Sequence, residues 1–221
     1  MTLDLRRSFA IAGSLLLLLA SVPLGAAAQQ PDTTVQSVPP SESVTSNDED
    51  KDVPYVPTVK SVVRQMLETA NVTEDDVVYD LGSGDGRIPI MAAKEFGARG
   101  VGIEIDSALV AKARQKAKAA GVADKVEFRQ MDFFNVDLTD ATVVTLYLWP
   151  EINIKLRPKL LEDLDPGDRI VSHDFRMGEW EPERSVDAGE GNTGRETVYL
   201  WTVPETVPDD LMDISDEPIN E

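Results

Sequence analysis

The chain has 221 residues and 42% hydrophobic content, enough for one domain with a core and for extensions beyond it. Its formal charge of −19 argues against nucleic acid as a partner, because phosphate would be repelled. Cysteine is absent and histidine occurs once, at His173, which excludes a disulfide framework, a thiolate nucleophile, a cysteine-type zinc site and a multi-histidine metal site.

In chain order, the first segment reads as an export signal. Arg6-Arg7 precede an apolar run from Phe9 to about Leu24, and Ala26-Ala27-Ala28 then offers a small-x-small cleavage pattern. A signal peptide is predicted over residues 1–28, of the twin-arginine or the general secretory type, directing the chain to the periplasm or cell envelope. If uncleaved, it would anchor the chain in the membrane, although the run is short for a full span. Residues 29–52, rich in Pro, Ser, Thr and acid, are expected to be a flexible linker. The domain is placed at 53–203 and an acidic tail at 204–221, where Leu211, Met212 and Ile214 could dock weakly. Between Val53 and Pro204 there are 26 acidic and 18 basic residues, so the flanks carry most of the excess charge.

Inside the domain, elements of helical and strand period alternate. Thr58 is positioned to cap a helix through Val62, Val63, Met66 and Leu67. Val77–Leu81 is the first strand, and Ile88–Phe96 a helix that Gly97 ends. Gly100–Ile105 is a second strand, followed by a helix capped by Ser107 and closed by Gly121. Lys125–Met131 and Thr142–Leu148 are strands three and four. Glu151–Leu164 is expected as two short helices broken near Pro158. A fifth strand spans Arg169–His173, and two more lie around Ser185 and over Thr197–Thr202, joined through Gly189–Gly194. This alternation implies an α/β fold: a Rossmann-like, seven-stranded, mostly parallel sheet with helices on both faces and an antiparallel final strand. Ligands bind such sheets at the carboxyl ends of the strands.

The first strand ends in Asp80 and runs into Gly82-Ser83-Gly84-Asp85-Gly86. The glycines let a nucleotide-like group approach the backbone. The acid, two residues before the first glycine, would repel a pyrophosphate but attract the amino group and sulfonium of S-adenosylmethionine. The third glycine also falls one residue too early for the dinucleotide pattern. Glu104 closes the second strand, where a carboxylate accepts both hydroxyls of a ribose. Asp132 and Phe133 close the third, where an acid takes adenine amino hydrogens and a ring packs on the base.

Asp80 to Gly86, Glu104 and Asp132-Phe133 resemble the cofactor motifs of class I, seven-β-strand methyltransferases. Four further strings resemble the mitochondrial lysine methyltransferases that modify the ATP synthase c-subunit and the adenine nucleotide translocase, together with their bacterial relatives. They are Val53-Pro54-Tyr55-Val56-Pro57-Thr58, Tyr147-Leu148-Trp149-Pro150, Leu156-Arg157-Pro158-Lys159-Leu160 and Val171-Ser172-His173-Asp174-Phe175. The resemblance spans about 53–203 and implies S-adenosyl-L-methionine as cofactor. It implies a cofactor set of Tyr55, Asp80, Gly82, Ser83, Gly84, Gly86, Glu104, Ile105, Asp132 and Phe133, with no metal. The export signal and acidic tail depart from those relatives, so their substrate transfers less well than their cofactor site.

On the acceptor side, strand four should deliver Tyr147 and Trp149, with Asn153 close behind. Strand five should bring His173 and Asp174 to the same mouth, with Trp180 at its rim. Tyr147 and Trp149 have a core reading as well, and His173 a purely structural one. The expected activity is N-methylation of protein lysine by a monomer whose substrate could be a membrane or envelope protein. The alternatives are an exported cofactor-binding or inactive relative, and a small-molecule methyltransferase.

Overall fold

The computed structural model describes residues 57–191, 194–215 and 217. The predicted signal, the linker and Tyr55 lie outside the described residues. The elements are α1 (Lys60–Thr69), β1 (Val77–Leu81), α2 (Arg87–Met91), β2 (Arg99–Glu104), α3 (Ser107–Ala120), β3 (Val126–Gln130), β4 (Val143–Leu146), α4 (Pro150–Asp163), β5 (Arg169–His173), β6 (Arg184–Glu190), β7 (Arg195–Thr202) and α5 (Asp209–Met212). They build one seven-stranded sheet in the order β3-β2-β1-β4-β5-β7-β6. The first five strands are parallel, and β7 runs antiparallel to both neighbours, as expected from the alternating pattern.

Strand alternation sorts the core into two faces. Tyr79, Leu81, Val101, Ile103, Val144, Leu146, Ile170 and Trp201 pack with Leu156 and Leu160 of α4. Val78, Val143, Val171, Val198 and Leu200 point the other way, onto Val62, Val63, Met66 and Leu67 of α1 and Ile88 and Met91 of α2. Further along that second face, Val110 and Ala113 of α3 cover Phe128 of β3. Three helices therefore lie on one face, and α4 with α5 on the other.

Several local expectations are corrected. Asp106, not Ser107, caps α3, accepting from the amides of Ala108 (2.8 Å) and Leu109 (3.3 Å). A carboxylate one residue earlier reaches the first-turn amides and leaves Ser107 inside the helix. Thr58 does not cap α1. Val59 holds the cap position, and the Thr58 hydroxyl lies 3.3 Å from Nδ1 of His173 instead. Pro158 does not break α4, which runs unbroken for 14 residues. Burial of Leu156, Leu160 and Leu161 on either side of the proline offsets the lost backbone bond, a cost of about 3 kcal/mol. The last two strands are also longer than expected, with a bulge at Asp187/Gly189.

The tail docks through a buried charge as well as through Leu211 and Met212. Arg157 of α4 is fully buried, and its guanidinium donates to the carbonyls of Leu211 (2.7 Å), Met177 (3.0 Å) and Asp213 (3.2 Å) and to the carboxylate of Glu217 (2.5 Å). One buried charge thus ties α5 and the tail to the loop after β5, with five donors to distribute.

Candidate active site

The glycine turn after β1 is shaped by backbone that only glycine adopts readily. Gly82, Gly84 and Gly86 have φ of 79°, 52° and 76°. The amides of Gly82 and Ser83 both donate to the Ile103 carbonyl at 2.9 Å, which fixes the turn over β2. A methyl group added at Gly86 would stand 2.6 Å from the Phe128 ring, so the turn lies hard against β3 and α3. Ser83 is tucked beneath it, with its Oγ buried and close to the Cβ position of Gly102.

Three carboxylates border this turn and a fourth, Asp132, follows β3, each in a different environment. Asp80 is buried and accepts from the Thr145 hydroxyl at 2.7 Å. Burial pushes its pKa up to about 7, and the charges of Glu104 and Asp85 add to the push against the Thr145 bond. Glu104 bridges two turns, accepting from Gly84 N at 2.8 Å and Asp106 N at 2.9 Å, with one oxygen for each. Each oxygen keeps a second lone pair for a ligand. Asp85 is held by Arg87 at 2.9 Å through both of its oxygens, and by Lys116. Burial alone would raise its pKa, but the two cations hold it well below the usual carboxylate range. Asp132 lies two residues beyond β3, not at its end. It accepts from Phe134 N (2.8 Å) and Asn135 Nδ2 (3.1 Å). Phe133 leans on Phe134, with ring centroids 5.0 Å apart, and Ile105 is 42% exposed beside the turn's edge.

These groups fit S-adenosylmethionine. Asp80 is a carboxylate whose hydrogen-bond partner is a neutral hydroxyl, so it meets a cation without first breaking an ion pair. Glu104 retains acceptor capacity beyond its two backbone bonds.

The acceptor side lies at the carboxyl ends of β4 and β5. Tyr147 stacks on His173 (centroids 4.0 Å apart) and on Phe175 (6.0 Å), while Trp149, 45% exposed, tilts against Phe175 at 5.4 Å. This aromatic ladder runs from solvent to the buried His173. Asn153 is not at the mouth. It is fully buried under the loop after β5, its amide donating to Ser172 Oγ (3.2 Å) and to the carbonyls of Phe175 (3.3 Å) and Arg176 (3.5 Å). It holds that loop from the α4 side of the sheet. Trp180 is also displaced from the expected rim. Its carbonyl accepts from Trp201 Nε1 at 2.8 Å, and it packs on the α4 face.

His173 is buried among three polar partners: Thr58, Asp174, whose Oδ2 lies 3.5 Å from its Nε2, and Glu196, whose Oε2 is in direct contact with the same nitrogen. Burial pushes the imidazole pKa down, against the opposing pull of Asp174 and Glu196. Asp174 sits at φ 60°, a rare conformation for a residue other than glycine, and Phe175 N donates to the His173 carbonyl across it at 2.8 Å. Its Oδ1 accepts from Thr197 N at 2.7 Å. Sequence reasoning missed Glu196. The signal was its shared parity with the apolar Val198 and Leu200 on β7, which places a carboxylate on an inward face.

Comparison with known proteins agrees with this geometry. Residues 80–184 match the family described as the ANTKMT methyltransferase domain. A protein-lysine N-methyltransferase of Saccharolobus islandicus is 46% identical over 154 residues, which make up 69% of this chain and 95% of that protein. The chain belongs to this methyltransferase family. A solved structure of a Salinibacter ruber protein described as an RNA methyltransferase, in complex with S-adenosyl-L-homocysteine, is 63% identical to it. That match covers 72% of this chain and all of the other, with a TM-score of 0.67. The mouse adenine nucleotide translocase lysine N-methyltransferase is 37% identical over 138 residues, 62% of this chain and 59% of that relative. The methyltransferase therefore uses S-adenosylmethionine.

Proposed function

We propose that this methyltransferase transfers a methyl group from S-adenosylmethionine to the side-chain amine of a protein lysine. The observation that carries the reading is the aromatic ladder of Trp149, Phe175 and Tyr147 that ends on buried His173. The relatives in Saccharolobus and mouse, both named for lysine methylation, support it. Aromatic faces suit a lysine stem and its cationic head. The cofactor supplies an electrophilic methyl, and transfer is an in-line displacement, so the protein's task is alignment and exclusion of water. Asp80 and Glu104 hold the donor side, Tyr147 and Trp149 flank the acceptor, and His173 with Asp174 receives the proton that a lysine, of reference pKa near 10.4, must lose first.

An RNA acceptor is the second reading, favoured by the description of the Salinibacter protein. The charge of −19 weighs against it. The test is methyl-label transfer from labelled cofactor into total protein and total RNA of the source cell, with mass spectrometry of the modified residues. Label on lysine supports the proposal; label confined to RNA refutes it.

We further propose that residues 1–28 direct the enzyme to the periplasm or envelope, where its acceptor would be an envelope protein. The motive is the order of basic, apolar and small residues in that segment. Cell fractionation tests it: full-length chain in the cytosol alone would refute export.

A further inference from the structure

We infer that Glu217 of the tail is a positioning residue for the acceptor side: through Arg157 and the Glu179 amide it fixes the loop that carries Asp174 and Phe175 to the mouth. The role in catalysis rests on the lysine reading; the contact itself does not.

The loop after β5 runs over residues 174–180, and its backbone is pinned from three directions. From α4, Asn153 and Arg157 stand four residues apart, hence on one helix face, and both are fully buried. The Asn153 amide donates to the carbonyls of Phe175 (3.3 Å) and Arg176 (3.5 Å), and Arg157 Nη1 donates to that of Met177 (3.0 Å). From β7, Trp201 Nε1 donates to the Trp180 carbonyl at 2.8 Å. From the tail, Glu217 Oε1 accepts from Glu179 N at 3.2 Å and from Arg157 Nη1 at 2.5 Å. One carboxylate oxygen thus joins α4 to the loop.

The fit is reciprocal. The Glu217 side chain is 4% exposed, although it comes from the acidic stretch expected beyond the domain. Its carboxylate enters where Gly178 has no side chain, since a Cβ there would stand 2.6 Å from Glu217 Cδ. Gly178 also has φ of 62°, so glycine supplies both the turn and the room. Ahead of Glu217 in the tail, Leu211 and Met212 pack on the core that includes Met177 and Trp180.

The consequence for the site follows from connectivity. Phe175 lies two residues before Met177, and its ring completes the aromatic ladder, 6.0 Å from Tyr147 and 5.4 Å from Trp149. The cofactor turn is held separately, by the Ile103 carbonyl and the Glu104 carboxylate. Loss of the Glu217 carboxylate therefore loosens the acceptor wall and spares the donor site. Removing one partner of a buried ion pair leaves the other uncompensated, so the tail stays docked in the folded protein and does not open as a lid.

The test uses the full-length protein and two variants. Glu217→Gln removes the charge with little change of shape, and Gly178→Ala drives a methyl group into the place of the carboxylate. The acceptor is the lysine-bearing protein that label transfer identifies. On it, Glu217→Gln should raise the acceptor KM about tenfold at a near-wild-type kcat, the signature of lost acceptor binding. Calorimetric affinity for S-adenosyl-L-homocysteine should not change. A fall in kcat with the acceptor KM unmoved would mean less folded enzyme and would overturn the positioning role. The double variant should be no worse than the worse single one, because both act on one contact. Additive losses would overturn the coupling. Hydrogen exchange read by mass spectrometry decides even if a variant fails to fold: residues 175–180 of the wild type should be protected, and exchange as fast as in an exposed loop would overturn the proposal. A wild type inactive on lysine refutes the substrate reading. Faster exchange at 175–180 in Glu217→Gln, with the cofactor turn unaltered, would still support the positioning of the loop.

Discussion

Asp76 and Asp80 stand four residues apart at opposite ends of β1, both buried, and the fold treats them in opposite ways. Asp76 is surrounded by donors: Thr142 Oγ1 at 2.7 Å, Thr73 N at 2.7 Å and Oγ1 at 3.2 Å, and the guanidinium of Arg169. Burial would raise its pKa, but these partners pull it below the ordinary value. Asp80 has the Thr145 hydroxyl, two neighbouring acids and a pKa near 7. The amino edge of the sheet satisfies its charge internally and is built for stability. The carboxyl edge leaves the Asp80 charge for a ligand to complete.

The largest expected effect is at the satisfied end. Asp76→Ala takes the carboxylate partner from the Arg169 guanidinium, which keeps the Ala70 and Asn71 carbonyls, and from the Thr73 amide, and should cost about 3 kcal/mol in chemical denaturation with cofactor affinity unchanged. Because the folded pKa of Asp76 is depressed, its contribution is present above the unfolded value of 3.8 and is lost as pH falls through the folded one. The gap between variant and wild type should therefore close in acid. A variant equally destabilised at all pH values would contradict the assignment.

Asp80→Asn should do the reverse. Calorimetry should show cofactor binding weakened tenfold or more, on the order of 1–3 kcal/mol for a charge-assisted contact. The ligand-free protein should become more stable above pH 7. The sign follows from the raised pKa: the native state holds this proton more tightly than the unfolded chain. The wild type therefore loses stability as pH rises from 3.8 to about 7, and the amide does not. A ligand-free variant less stable than wild type at pH 8 would contradict the unsatisfied-charge account.

A smaller effect is the pH dependence of the wild-type affinity. Ionised Asp80 is the form that attracts a cation, so binding should tighten between pH 6 and pH 8 by about tenfold at most, and stay flat in the Asn variant. The smallest belongs to Ile105, 42% exposed at the site's edge. Ile105→Ala should weaken cofactor binding only several-fold, about 1 kcal/mol of apolar contact, and leave thermal stability in place.

The donor side was legible in the sequence because its signals are local. Asp80, the glycines and Glu104 are each tied to a strand end, and strand ends follow from apolar runs that stop at glycine or acid. The error of one residue at Ser107 reflects competition between adjacent polar side chains for the same amides, whereas the Thr58 hydroxyl is drawn away to His173 and leaves α1 without a side-chain cap. The unbroken helix over Pro158 reflects burial outweighing propensity. Glu196 and the tail depended on partners far along the chain. Pairing His173 with Val198 brings Glu196 to the imidazole, and Arg157 reaches Glu217 across 60 residues.

The sequence by itself determined the parallel sheet, the cofactor turn and the chemistry of the donor, since periodicity and short-range spacing encode them. Tertiary structure alone decided which charges are satisfied. Asp76 and Asp80 are the same type of residue, one just before β1 and one near its end. Arg169 and Thr142 are brought to one of them and only Thr145 to the other by strand register, a long-range property that composition and local spacing do not carry.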